Sequence, residues 1–262
     1  MAEQAAAPAR KYEFVEGDTV ATWDGRTLRR IRALVAIAAT TWTPAVAPGE
    51  LGGYIESESN LDARVSGDAW VYGNARVSGD AQVYGNARVS GDAQVYGNAR
   101  VSGNARVSGD AQVSGDAQVY GNARVYGNAR VYGNAWVSGN ARVSGNARVY
   151  GNAWVSGDAR VYGNAWVSGD ARVCGGGLIF WASIVGTEYG TLTVYNGKDN
   201  TLLVTRGCFS GTVDAFLAAS EAKHDGRTKR EYQLLIEVAK SRIEAARAET
   251  PVPAEGEGDA SE

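Results

Sequence analysis

VYGNARVSGDAQVYGNARVSGDAQ, residues 71–94, writes one six-residue phrase four times. Val recurs at every sixth position from 65 to 173, nineteen times without a break. A fixed short period is the mark of a repeat architecture and outranks any other local signal. The consensus is V-[SY]-G-[ND]-A-[RQW]. Val is β-branched and suits a strand. Gly followed by Asn or Asp suits a corner, because these residues tolerate positive φ. Ala, two residues before the next Val, points to the same side as that Val. The residues that flank each Val point the other way.

Each hexad is therefore a short strand plus a corner, with Val and Ala inside. Three sides close a triangle of eighteen residues. The expected fold is mainly β: a hexapeptide β-solenoid, left-handed, triangular, of about six coils. At the parallel-strand spacing of about 4.8 Å per coil the shaft is roughly 30 Å long. Burying one Val contributes roughly 1.5–3 kcal/mol, whereas ordering each backbone residue costs about 1–2 kcal/mol. A single hexad cannot stand alone. Stability must come from stacking, and the two ends need protection.

The flanks differ in composition. KYEFVEG, DTVATWDGRTLRRIRALVAI and GELGGYIES read as short strands with a turn at Asp24–Gly25. After Cys174 the pattern stops at GGG; LIFWASIVG, GTLTVYN and NTLLVTRGCF read as strands. TVDAFLAASEAKH reads as a helix capped by Thr212. TKREYQLLIEVAKSRIEAARA reads as a second helix, with Thr228 and Glu231 as a capping box and Tyr232, Leu235, Ile236, Ala239, Ile243 and Ala246 on one face. The expected organisation is a disordered start over 1–10, a β cap over 11–63, the solenoid over 64–178, a β+α module over 179–247 and a disordered acidic tail over 248–262.

The stretch KYEFVEGDTVATWDGRTLRRIRALVAI, then APGELGGYIESESNL, then the hexads, resembles the YdcK-type hexapeptide proteins of enterobacteria, prophages and phages. The resemblance covers about residues 11–175, and LGGYIESESNL is its specific part. It implies a β-solenoid of phage or prophage type. A hexapeptide-transferase label also attaches to that family on repeat similarity, with no activity to carry across. Residues 186–245 are similar to a C-terminal segment of other phage-borne hexapeptide proteins, which brings no chemistry.

Sorting the hexads modulo three gives vertical columns. One reads Trp70, Arg88, Arg106, Arg124, Arg142, Arg160. A second reads Arg76, Gln94, Gln112, Arg130, Arg148, Trp166, and the third Gln82, Arg100, Gln118, Trp136, Trp154, Arg172. Tyr132 lies below Tyr150, beside the Trp136–Trp154 pair. From Arg64 to Gly175 there are eleven Arg and seven Asp but no Lys or Glu. The Arg column reads either as an anion or nucleic-acid surface or as a solvated ladder whose stems cover the strands. Like charges about 4.8 Å apart repel by only roughly 1 kcal/mol in water, which permits the ladder. Tyr132, Trp136, Tyr150, Trp154 and Trp166 read either as an interface or as cross-rung stacks that stabilise the shaft.

Solenoid acyltransferases need a general base with a pKa near 7, and the hexads contain no His. Three His ligands for one metal are likewise absent from a chain with a single His. Cys208 and His224 are the remaining nucleophile–base candidates; against this stands an ordinary thiol and a helix-terminal His. No metal and no cofactor are expected. The stretch MAEQAAAPARK lacks the layout of a secretory signal, and no apolar run reaches membrane-span length. The expectation is a cytoplasmic, non-enzymatic protein that works by assembly or binding. Its partners would be further copies of itself in a dimer or trimer, a host protein whose process, such as defence, it interferes with, or an anionic ligand or nucleic acid, with no membrane. A hexapeptide-type acyltransferase is the alternative.

Overall fold

The computed structural model describes residues 10–40, 44–62 and 68–249. Eighteen short strands, β4 (Trp70–Val71) to β21 (Arg172–Cys174), follow one another at six-residue intervals. They stack in parallel into three sheets, each strand paired in register with the one eighteen residues on, as in Arg106–Val107 with Arg124–Val125. Every Val from Val71 to Val173 and every Ala of the same hexads is buried. The coils are bonded to each other by the backbone: Arg106 N–H donates to the Ala123 carbonyl and Ser108 N–H to the Val125 carbonyl, both at 2.9 Å.

At the corners, positive φ falls on the Gly alone. Gly109 has φ +69°, and a Cβ there would stand 3.0 Å from the Gly127 nitrogen on the next coil. Gly is thus required twice over, by the left-handed backbone and by the coil spacing. The Asn or Asp beside it lies outside and forms a second ladder. Asn134 Nδ2 donates to Asn152 Oδ1 at 3.2 Å, and Asn152 Nδ2 to Asp170 Oδ1 at 3.1 Å. A carboxylate has no proton to hand on, so Asp fits the end of such a chain and interrupts its middle.

The lower end departs from the hexad count. Ile55 pairs with Val77, and Leu61 bridges to Val83. The count of eighteen would have given Val83 to Val65. The first turn is therefore longer than the rest, and the solenoid begins on Ile55 and Leu61 rather than at residue 64; Val65 itself lies outside the described residues. β3 (Leu51–Ile55) belongs to this first coil, and β2 (Thr27–Ala33) and β1 (Tyr12–Ala21) continue its sheet antiparallel. KYEFVEG and the start of the next segment are one strand, bent at an irregularity between Phe14 and Thr19 where Gly17 has φ +76°. Gly25 makes the expected turn between β1 and β2.

At the upper end β22 (Ile179–Val185), β23 (Gly190–Asn196), β24 (Leu202–Arg206) and β25 (Phe209–Thr212) form an antiparallel sheet in sequence order. NTLLVTRGCF is split between two strands by a turn at Gly207, φ +58°. α1 (Val213–Lys223) is capped by the Thr212 hydroxyl, which accepts from Ala215 N–H. α2 (Gly226–Glu249) starts earlier than the expected capping box. Asp225 accepts from Thr228 N–H at 2.8 Å, so Thr228 lies inside the helix, buried, and Glu231 instead accepts from Gly186 N–H. A carboxylate three residues upstream is as good a cap as Thr and adds a favourable charge at the helix N-terminus. The buried face of α2 is Tyr232, Ile236, Ala239 and Ile243, with Leu235 and Ala246 packed beside it. α2 runs to Glu249, past the expected boundary at 247, and Arg10, placed in the expected disordered start, donates from Nη1 to Glu58 Oε1 at 2.8 Å; the rest of the expected disordered ends lies outside the described residues. Among the described residues, no helix is long and apolar enough to cross a membrane.

Candidate functional site

The three outer columns fall where the eighteen-residue turn places them, and each names a face. The Arg face carries Trp70, Arg88, Arg106, Arg124, Arg142 and Arg160 in consecutive pairs. It is not uniform. The segment after β2 folds back over its lower end, held by the Ile37–Val46 bridge. Arg88 is only 1% exposed, and its Nη2 donates to the Ala38 carbonyl at 3.0 Å. Its Nε and Nη1 are buried with no hydrogen-bond partner among the described residues. Arg106 Nη2 reaches Thr40 Oγ1 at 3.5 Å. Burial, and then Arg124 and Arg88, hold the Arg106 guanidinium below its ordinary pKa. An outward column of five Arg is thus corrected: Arg88 is an interior group, Arg106 and Arg124 are half-buried, and Arg142 and Arg160 are exposed. Among the described residues these last two make no ion pair.

The Trp face carries Gln82, Arg100, Gln118, Trp136, Trp154 and Arg172. Trp136 and Trp154 stack at 4.9 Å with their planes 2° apart. Tyr120 meets Trp136 edge-on, and the Arg172 guanidinium lies 4.4 Å above the Trp154 ring. Both flat sides of Trp154 are therefore occupied, and its exposed surface is its edge. Ring faces hidden in this way cannot stack a ligand, but aligned edges still present a straight apolar rank.

The Tyr face carries Arg76, Gln94, Gln112, Arg130, Arg148 and Trp166. Here Tyr132 and Tyr150 stack at 5.0 Å with planes 1° apart. Burial and the neighbouring Tyr150 raise the Tyr132 pKa. This pair and the Trp pair lie in different sheets, around a corner from each other, not side by side on one face. Trp166 lies under the C-terminal sheet. Its N–H donates to Thr193 Oγ1 at 3.1 Å, its carbonyl accepts from Thr205 Oγ1 at 2.6 Å, and Arg148 stands 4.5 Å over its ring. Trp166 is a junction between shaft and module rather than part of an open surface.

Cys208 is exposed in the turn between β24 and β25. His224 ends α1, and its ring lies tilted against Tyr232 at 5.5 Å. No hydrogen bond joins the two among the described residues. Cys174 accepts from the Ser156 hydroxyl at 3.1 Å, as one more rung of the ladder.

Two features escaped the column sorting. The Asn ladders were legible as Asn recurring at eighteen, but only the bond direction gives Asn and Asp different roles. Arg148 and Arg206, far apart in sequence, line one cleft of about 340 Å³ beneath the C-terminal sheet; the sequence has no signal for where that sheet overhangs.

Comparison with known proteins bears on the shaft. The family model described as YdcK Beta solenoid repeat matches residues 81–97, 93–109, 99–115, 117–130, 123–139, 141–157, 153–169 and 159–175. No curated protein matches the chain.

Proposed function

This chain is a YdcK-type β-solenoid repeat protein, and from that premise we propose that it acts by assembly and binding, without catalysis, as a rigid rod of phage or prophage type. The observation that carries this reading is the Trp face. Tyr120, Trp136, Trp154 and Arg172 form one self-stacked rank whose edges, not faces, meet solvent. A flat rank of aromatic edges and a guanidinium suits a flat protein surface, and Trp, Tyr and Arg are the residues that carry interface energy. The nearest such surface is the same face on another copy, giving a dimer or trimer; a host protein with a matching flat face is the other occupant.

The mass of the chain in solution tests this. The expected result is a dimer or trimer that Trp136→Ala with Trp154→Ala converts to a folded monomer. A monomeric wild-type chain that also retains no host protein through these residues overturns it.

A second reading rests on Arg142 and Arg160, exposed and without an ion pair among the described residues, on a face that bears no acid in its column. It is an anionic or nucleic-acid partner bound along the upper Arg face. Binding should weaken steeply with salt and weaken again in Arg142→Ala with Arg160→Ala. Saturable acyl-CoA binding that depends on the shaft would instead favour an acyltransferase.

A further inference from the structure

The cleft of about 340 Å³ lies between the top of the Tyr face and the overhanging tips of the C-terminal sheet. The shaft contributes Asn146, Arg148, Asn164 and Trp166, and the module contributes Tyr189, Thr191, Thr205 and Arg206 around Gly190 and Gly207. Two guanidinium groups line it and no carboxylate does. Arg148 is held by the Trp166 ring and makes no ion pair among the described residues. Arg206 is fixed from behind, where its Nη2 donates to the Val185 carbonyl at 2.9 Å. Gly190 leaves room for it, since a side chain there would collide with the guanidinium.

The Asn ladders supply an independent observation. Three run up the corners of the shaft. Two end on a carboxylate: Asn140 donates to Asp158, and Asn152 to Asp170. The third runs from Asn128 to Asn146 to Asn164 and ends in the cleft on an amide. Asn164 accepts from Asn146 at 3.1 Å, and its own Nδ2 donates to no described residue. The one ladder that ends beside the two guanidinium groups is the one that ends on an open donor. A carboxylate there would repel an anion; an amide binds it.

We propose that this cleft binds a small phosphomonoester that carries a ring, with the phosphate between Arg148, Arg206 and Asn164 and the ring against Tyr189. A phosphomonoester carries close to two negative charges at neutral pH, which two guanidinium groups match with directed hydrogen bonds. Tyr189, at the rim and 74% exposed, offers a free ring face. The volume lies at the small end of the range for ligand pockets, which fits one ring and one phosphate, as in a mononucleotide or a phosphosugar, and excludes a dinucleotide.

Calorimetric titration of the full chain with a ribonucleoside 5′-monophosphate, its parent nucleoside and inorganic phosphate tests the site. The monophosphate should bind saturably, one per chain, and the nucleoside should not. Arg148→Gln and Asn164→Asp, both on the outside of the shaft, should each weaken the monophosphate tenfold or more. Tyr189→Ala should weaken the monophosphate and leave inorganic phosphate unchanged. Arg100→Gln, exposed on the Trp face and away from the cleft, should change nothing. Absence of saturable phosphate binding at low salt overturns the proposal, and so does an equal loss with Arg100→Gln. Neither result depends on whether the chain assembles with a partner.

Discussion

The two ends of the shaft close the same open edge by different chemistry. At the lower end the closure is backbone to backbone: Tyr54 N–H donates to the Ala75 carbonyl at 2.9 Å and Glu56 N–H to the Val77 carbonyl at 3.1 Å, and β2 and β1 extend the sheet beyond. At the upper end no strand among the described residues continues the Tyr face beyond β20 (Trp166–Val167). The N–H groups of Trp166 and Ser168, which a further coil would have taken, donate to the hydroxyls of Thr193 and Tyr195, each at 3.1 Å. Thr193, Tyr195 and Thr205 are buried polar residues on neighbouring strands of one small sheet, aimed at the last rung. An exposed ladder edge invites pairing with another chain. Register protects one end here, and placed hydroxyl groups protect the other.

The contrast predicts where each end is vulnerable. The lower end depends on close backbone approach, so bulk should break it. A Cβ on Gly53 would come within 2.5 Å of the Ala75 carbonyl oxygen. Gly53→Val should cost about 3 kcal/mol in chemical denaturation, the largest effect expected here.

The lower end also encloses a cation. Lys11 is 2% exposed, and burial lowers its pKa to about 8 despite attraction from Asp62 and Asp68. Between about pH 8 and 10 the unfolded chain keeps that proton and the folded chain has released it, so stability should rise with pH, by about 2 kcal/mol in all. Above pH 10 the trend should reverse, because burial raises the pKa of Tyr12 and only the unfolded chain loses its phenolic proton. Lys11→Met should abolish the rise while leaving the fall, as read from denaturation midpoints across that range.

At the upper end, bulk matters less than a single hydroxyl. Tyr195→Phe keeps the ring but leaves the buried Ser168 N–H without its acceptor, and should cost about 1.5 kcal/mol. The middle of the shaft, bonded above and below by backbone, should be the most tolerant. Asn134→Asp removes one amide donor from an exposed ladder and should cost about 0.5 kcal/mol. An effect there as large as at Tyr195 would show that the corner ladders, and not the ends, hold the shaft together.

Much of this was legible in the residues, for local reasons. A Val every sixth position fixes the interior, because strand alternation and a Gly corner leave it one direction to face. The eighteen-residue columns follow directly, and Arg124, Arg142, Trp136 and Trp154 fall where counting puts them. The count failed at its start. Val65 continues the period by letter, but Leu61 takes its place under Val83. The signal was present, since Ile55 and Leu61 are also six apart, yet nothing local ranks one apolar residue over another as the first rung. The α2 cap was misread in the same way: Asp225 and Thr228 are both good caps, and packing of Thr228 into the module decided between them. The Arg column looked uniform because a column is blind to the chain that crosses it.

The sequence by itself determined the period, the dry Val–Ala interior, the Gly corners and the alignment of the outer side chains, because each depends on neighbours within one or two hexads. Only the tertiary structure decided that Arg88 is interior while Arg160 is open, that hydroxyls of β23 and β24 close the top rung, and that Arg148, Asn164 and Arg206 share a cleft. Those outcomes depend on where the non-repeating segments fold back against the shaft. That is set by contacts between residues far apart in the chain, and no six-residue pattern encodes it.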